Sequence, residues 1–151
     1  MSLDLVSIRT AIAQTLAGVT VILRVDDYTY RGESIGNLPV AQILRGPVQM
    51  RSLSLTGEEA DTQLGSYDYL VPWTIRVTAA FADLVDAQEY DDQLAEQLQE
   101  AFNGNRLLDP IGAGVVDNSR LTVVSSHLDE DHTPALWITD ATLETFIVAS
   151  L

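Results

Sequence analysis

Four side chains within six residues, His127, Asp129, Asp131 and His132, bring together the nitrogen and oxygen donors that a hard or borderline metal ion takes. The pattern lacks a further ligand and the glycine that a calcium loop requires, because Thr133 and Pro134 stand in those places. A polar hairpin turn accounts for the same residues. Asp26-Asp27, Asp83 with Asp86, and Asp91-Asp92 offer carboxylate pairs of the kind that general acid and base chemistry uses, but neighbours in sequence need not converge in space, and a solvated acidic face explains them better. Ser125-Ser126-His127 sets a hydroxyl beside an imidazole. On a strand, alternate residues share a face, so only Ser125 lies on the side of His127, and no GxSxG elbow accompanies them. Gly112-Ala113-Gly114 opens like a dinucleotide loop, yet Asp117 occupies the third glycine position and the segment follows a helix. Trp73, Trp137, Tyr67, Tyr69 and Tyr90 fit packing better than ligand stacking. These readings predict no catalytic residue, no cofactor and no metal, and a protein that is not an enzyme.

The elements that would have to position any site are clearer than the chemistry. From Tyr67 onward, Tyr69, Val71, Trp73, Ile75, Val77, Ala79 and Phe81 share one phase of a sixteen-residue strand pattern, while Asp68, Thr74, Arg76 and Thr78 fall in the other. One sheet face is therefore buried. A strand of this length implies a projecting hairpin arm or a strongly bent sheet. A helix follows, with Asp86 as N-cap, Glu89 as its capping-box partner, and Tyr90, Leu94, Leu98, Ala101 and Phe102 as its apolar stripe; Asn103-Gly104 ends it. Near the start, Leu5, Ile8, Ile12 and Leu16 mark a helix over Asp4 to Ala17, with Gly18 at its C-terminal end. Val19 to Val25 alternates as a strand reaching an Asp26-Asp27 turn.

Pro39 to Leu44 and Val48 to Leu55 read as strands broken at Arg45-Gly46-Pro47, with each proline at a strand start or edge. Thr56 to Ser66 has two glycines, three acids and little periodicity, and reads as an exposed contact loop. Leu107 to Ser119 is irregular, Arg120 to His127 a strand, Leu128 to Pro134 a turn, and Leu136 to Val148 a closing strand. Its alternation breaks at Phe146, Ile147 and Val148, which predicts a bulge or burial on both faces. The pattern as a whole predicts a single domain over 1–151 of α+β class: an antiparallel or mixed sheet, two helices on one face, and a long projecting β-hairpin. The other face must be solvated or covered by a neighbouring subunit.

Composition sets the partners. A chain of 151 residues holds one core without disulfides, and there is no cysteine, which removes thiol chemistry and cysteine zinc sites. Eight arginines, no lysine and 22 acidic residues leave a net charge of −14, which opposes gripping a phosphate backbone. The N-terminus lacks the basic start and apolar run of a signal peptide, and no stretch is long enough to span a membrane. The expectation is a soluble protein that remains where it is made.

In size and element order the chain resembles the tail terminator, or tail completion, proteins of long-tailed bacteriophages. The resemblance rests on the helix Leu5 to Leu16, the proline-containing strands Pro39 to Leu55, the loop Thr56 to Ser66, YLVPWTIRVTAAF, AQEYDDQLAEQLQEAF, and the closing RLTVVSSH and ALWITDATLETFIVAS. It implies a structural virion protein, made in the host cytoplasm and placed at the head-proximal end of the tail. Such proteins form a ring, usually hexameric, which caps the tail tube and joins it to the head connector or stopper protein. Partners would be the chain itself, the tube protein and the connector, with DNA passing the lumen without specific binding. An acidic lumen would help DNA slide. Contact residues would come from the two segments projecting from strand ends: Glu58, Glu59, Asp61 and Gln63 in the first, Asp129, Glu130 and Asp131 in the second. Another neck or minor tail protein, a small-ligand binding α+β module using Trp73 or Trp137, and a metal-dependent hydrolase at His127 to His132 stand as alternatives.

Overall fold

In the computed structural model, which describes residues 3–26, 39–52, 66–81, 83–112, 114–131 and 135–150, the chain is an α+β fold. Helix α1 (Leu5–Ala17) precedes strands β1 (Arg24–Asp26), β2 (Val40–Arg45), β3 (Gln49–Ser52) and β4 (Ser66–Ala80). Helix α2 (Leu84–Asn103), β5 (Asn118–Asp129) and β6 (Leu136–Ser150) complete it. The sheet is mixed, ordered β1-β2-β4-β6-β5, with β3 beside β4. Only β1 with β2 is parallel; all the other pairs are antiparallel.

The period-two strand is the middle of this sheet. It pairs with β6 from Ser66↔Ser150 to Ala80↔Leu136, and on its other side with β2 and then β3. The projecting arm expected from its length is not seen among the described residues, because β6 lies between β4 and β5 for most of its course. Val71, Trp73, Ile75, Val77 and Ala79 are buried, in the phase read from the sequence. They meet Ala141, Leu143 and Ile147 of β6 and Ala41 and Ile43 of β2 in one core. Ile8, Ile12 and Leu16 of α1 and Leu94, Leu98 and Phe102 of α2 close it from above. Each such large side chain contributes roughly 1.5–3 kcal/mol by leaving water. The core holds one polar chain: the Trp73 indole donates to Thr145 Oγ1 at 3.1 Å, and Thr145 donates to the Val71 carbonyl at 2.9 Å.

A proline in a central strand needs an explanation, and Gly46 supplies it. In a strand the N–H and C=O of one residue point the same way, so the donor that Pro72 lacks would face the partner that its carbonyl faces. That partner is Gly46, whose N–H reaches Pro72 O at 2.7 Å. The edge breaks there into β2 and β3, so no strand acceptor is left waiting. A Cβ on Gly46 would sit 2.9 Å from Pro72 Cγ and from its carbonyl oxygen. The tight approach requires glycine.

Several boundaries differ from the sequence reading. Asp83, not Asp86, caps α2, accepting from Val85 N at 2.8 Å. The helix therefore begins with Leu84 and Val85, which are exposed and outside the apolar stripe by which its start was read. Asp4 caps α1, accepting from the Ser7 hydroxyl and N–H; these bonds lower its pKa. Val19 to Leu23 is not a strand: Val19 and Ile22 turn back on Leu16 and Val19, and only Arg24–Asp26 pairs. In β6 neither a bulge nor full two-sided burial occurs: Ile147 is buried, Phe146 half-buried beneath Arg120, and Val148 exposed. The bulge lies in β5, at Thr122.

Candidate functional site

The residues with chemistry in their side chains do not converge. His127 stands exposed on β5 opposite Ile138, on the sheet face away from the helices; Asp129 ends the strand and accepts from Asp131 N at 3.1 Å. His132 lies outside the described residues, and no group of three metal-ligating side chains forms among them. Ser125 shares the open face with His127, as strand alternation predicts, opposite Asp140. Asp26 pairs with Arg24 at 2.8 Å, Asp83 caps a helix, and Asp92 is exposed. Gly112 and Gly114 belong to a tight turn, in which the N–H groups of Val115 and Val116 both donate to Gly112 O. Trp73 is enclosed in the core with Arg9 over its ring at 5.2 Å.

Of the expected contact residues, Asp129, Glu130 and Asp131 lie at the end of β5 and the turn after it, with Glu130 and Asp131 exposed. Glu58, Glu59, Asp61 and Gln63 lie outside the described residues.

One cluster was hidden from the sequence. Asp91 of α2 accepts from Ser126 and, at 3.1 Å, from Thr139 Oγ1, and the two hydroxyls lie 3.0 Å apart. The three residues are separated by 35 and 48 positions along the chain. The cluster ties α2 to the β5–β6 hairpin. Beside it, Tyr90 donates to Val21 O at 2.9 Å; burial, and then the Asp91 charge, raise its pKa.

What the fold does present is surface of two kinds. The sheet face away from the helices is closed at the β2 end, where Val40, Gln42 and Thr78 are buried. Beyond that it carries exposed Leu44, Val123 and Val148. The pairs Arg76–Asp140, bidentate at 2.8 and 3.0 Å, and Arg120–Glu144 at 3.5 Å stand between them. The bond to Asp140 raises the pKa of Arg76 further. Helix α2 is the opposite, holding six carboxylates and no arginine. Among the described residues two cavities add concave surface. One, about 390 Å³, lies at the β3 end of the sheet against Met50, Tyr69, Leu70 and Phe146; the other, about 190 Å³, lies between the start of α2 and the β5–β6 hairpin.

No protein-family model matches the chain, and no curated protein matches it. Among the described residues no helix is long and apolar enough to cross a membrane.

Proposed function

We propose that the protein is a structural subunit of a long-tailed phage virion, a tail terminator whose ring caps the tail tube and receives the head connector. The observation that carries the reading is the charge asymmetry of the two faces. The open sheet face combines exposed apolar side chains with balanced ion pairs, while α2 on the other side concentrates acid. A face of this mixed character suits burial against another subunit. Two unlike faces on one subunit favour a heterologous contact, which closes into a ring when its rotation allows. Tube protein and connector would meet the ring's two ends, and the −14 charge repeated around a lumen would let DNA pass without sticking, within a screening length of about 8 Å. Such a protein catalyses nothing and needs no cofactor. Its mechanism is surface complementarity: one end adds to the last tube ring and the other refuses a further one.

Light scattering across a range of concentrations, followed by negative-stain imaging, tests the reading. A ring with a central pore is expected, and Leu44→Glu or Val148→Glu should disperse it while leaving the fold intact. Deleting Gly57 to Gly65 should spare folding and abolish capping of tails. A monomer that leaves tail tubes uncapped would overturn the proposal. Another neck or minor tail role would show as a ring that binds the connector but not the tube.

The cavity of about 390 Å³ favours one second reading, a module that binds a small apolar ligand, since its volume falls in the range of ligand pockets. Such a ligand would meet Met50 and Tyr69, and not Trp73, which the core encloses. A screen of small apolar compounds by thermal shift, repeated on Met50→Glu, distinguishes it.

A further inference from the structure

The edge strand β5 has β6 on one side and, among the described residues, no strand on the other. Its two halves treat that exposure differently. In the first half, the Leu121 N–H donates to Asn103 Oδ1 of α2 at 3.1 Å, and Thr122 bulges out of register. Both devices block an added strand. The second half, Val123 to Asp129, has no bulge, proline or lysine, and Val123 and Leu128 are exposed along it. About seven residues there offer roughly 23 Å of strand edge at the usual rise.

Next to that half lies the 190 Å³ cavity, walled by Phe81, Leu84, Ala87, Leu128 and Trp137. Leu84 and Val85 continue the apolar surface from it, 54% and 67% exposed on the first turn of α2. The buried indole N–H of Trp137 has no hydrogen-bond partner among the described residues. Asp83 lines the cavity, Asp86 follows in the first turn of α2, Glu130 and Asp131 follow Leu128 and Asp129 in the chain, and among the described residues no lysine or arginine lines the cavity.

We propose that the Val123 to Asp129 edge and this cavity form one docking site for an extended segment of a different protein. The segment adds as a further strand, seats an aliphatic side chain in the cavity, and carries lysine or arginine beside it. Backbone pairing along an exposed strand edge supplies affinity, and the pocket for an alternate side chain supplies specificity. Charge selects the occupant. A second copy would bring another −14 chain, and its own carboxylate-lined α2, to an acidic rim. A basic segment gains where a copy is repelled. The site shares Val123 with the open sheet face invoked for ring closure, but its cavity and the start of α2 lie on the helix side, and Leu44 and Val148 play no part in it.

The test uses the full chain and a fluorescein-labelled nine-residue peptide of alternating arginine and leucine, followed by anisotropy. A peptide with the same side chains but every backbone nitrogen methylated should bind at least about tenfold more weakly, equivalent to 1.4 kcal/mol. Leu84→Gln and Leu128→Gln should weaken binding by a similar factor, while Val6→Gln on α1, also exposed but not lining the cavity, should leave it unchanged. On binding, amide exchange should slow within Val123 to Asp129. Equal affinity for the methylated peptide, or no effect of Leu84→Gln in a protein shown to be folded, overturns the proposal. Self-association of the wild-type chain that Leu84→Gln disperses also overturns it, by making the occupant a second copy. Loss of rings on Leu44→Glu with peptide binding intact would strike the ring contact alone.

Discussion

The two faces of the central strands follow different rules. Toward the helices, β4 and β6 present Val71, Trp73, Ile75, Leu143 and Ile147, buried side chains fixed by close packing and one closed polar chain. Away from them, the same strands present Arg76, Asp140, Glu144 and Val148, held by exposed ion pairs and free to meet something else. Alternate residues of one strand thus divide the labour. The helix side determines that the chain folds, and the open side, with the edge of β5, is where recognition remains possible.

Substitutions can break or sharpen that contrast. The largest effect is expected from Trp73→Ala, which empties a fully buried site and should cost about 3–5 kcal/mol in denaturant unfolding. Leu44→Ala on the open face should stay within about 0.5 kcal/mol, and a comparable loss there would abolish the distinction. Gly46→Ala comes next: its Cβ would press on Pro72 at 2.9 Å, and overpacking of this kind costs about 1–3 kcal/mol. Asp91→Ala should remove about 1–2 kcal/mol by leaving Ser126 and Thr139 only each other as partners. A drop in the unfolding midpoint, with an unchanged slope on denaturant, is the expected signature.

Alkaline titration addresses the helix side through Tyr90. Its pKa in the folded protein is raised above the ordinary 10.0, chiefly by burial, so above that pH the unfolded chain releases a proton that the folded chain retains. The contribution is whole below about pH 10 and is lost as pH rises further. Tyr90→Phe should flatten this part of the stability profile, and an unchanged profile would mean that the group is not held as described. The smallest effect belongs to the open face. Replacing Arg76 and Asp140 together by methionine should change stability by no more than about 1 kcal/mol, because exposed pairs contribute little in water.

What was legible followed from periodicity. The phase of β4 can be read from Val71 to Ala79 because strand alternation is a local property, and the stripe Leu94, Leu98 and Phe102 because helical spacing is. The start of α2 was misplaced by three residues because an exposed Leu84 and Val85 contribute nothing to a stripe. The candidate site was far less legible. Asp91, Ser126 and Thr139 meet across three elements, and nothing in the spacing of 91, 126 and 139 signals it. The histidine and acids near residue 127, close in sequence, are spread along a strand and its turn.

By itself the sequence determined the α+β class, the long half-buried strand, the two amphipathic helices and an acidic, lysine-free surface. Each follows from interactions within a few residues or from composition. Only the tertiary structure decided that β4 is central, that β5 is the edge, that Gly46 opposes Pro72, and that a cavity opens between α2 and Leu128. Those depend on which strands neighbour one another, and strand order is set by the joint burial of all the apolar faces at once, a quantity that no local window contains.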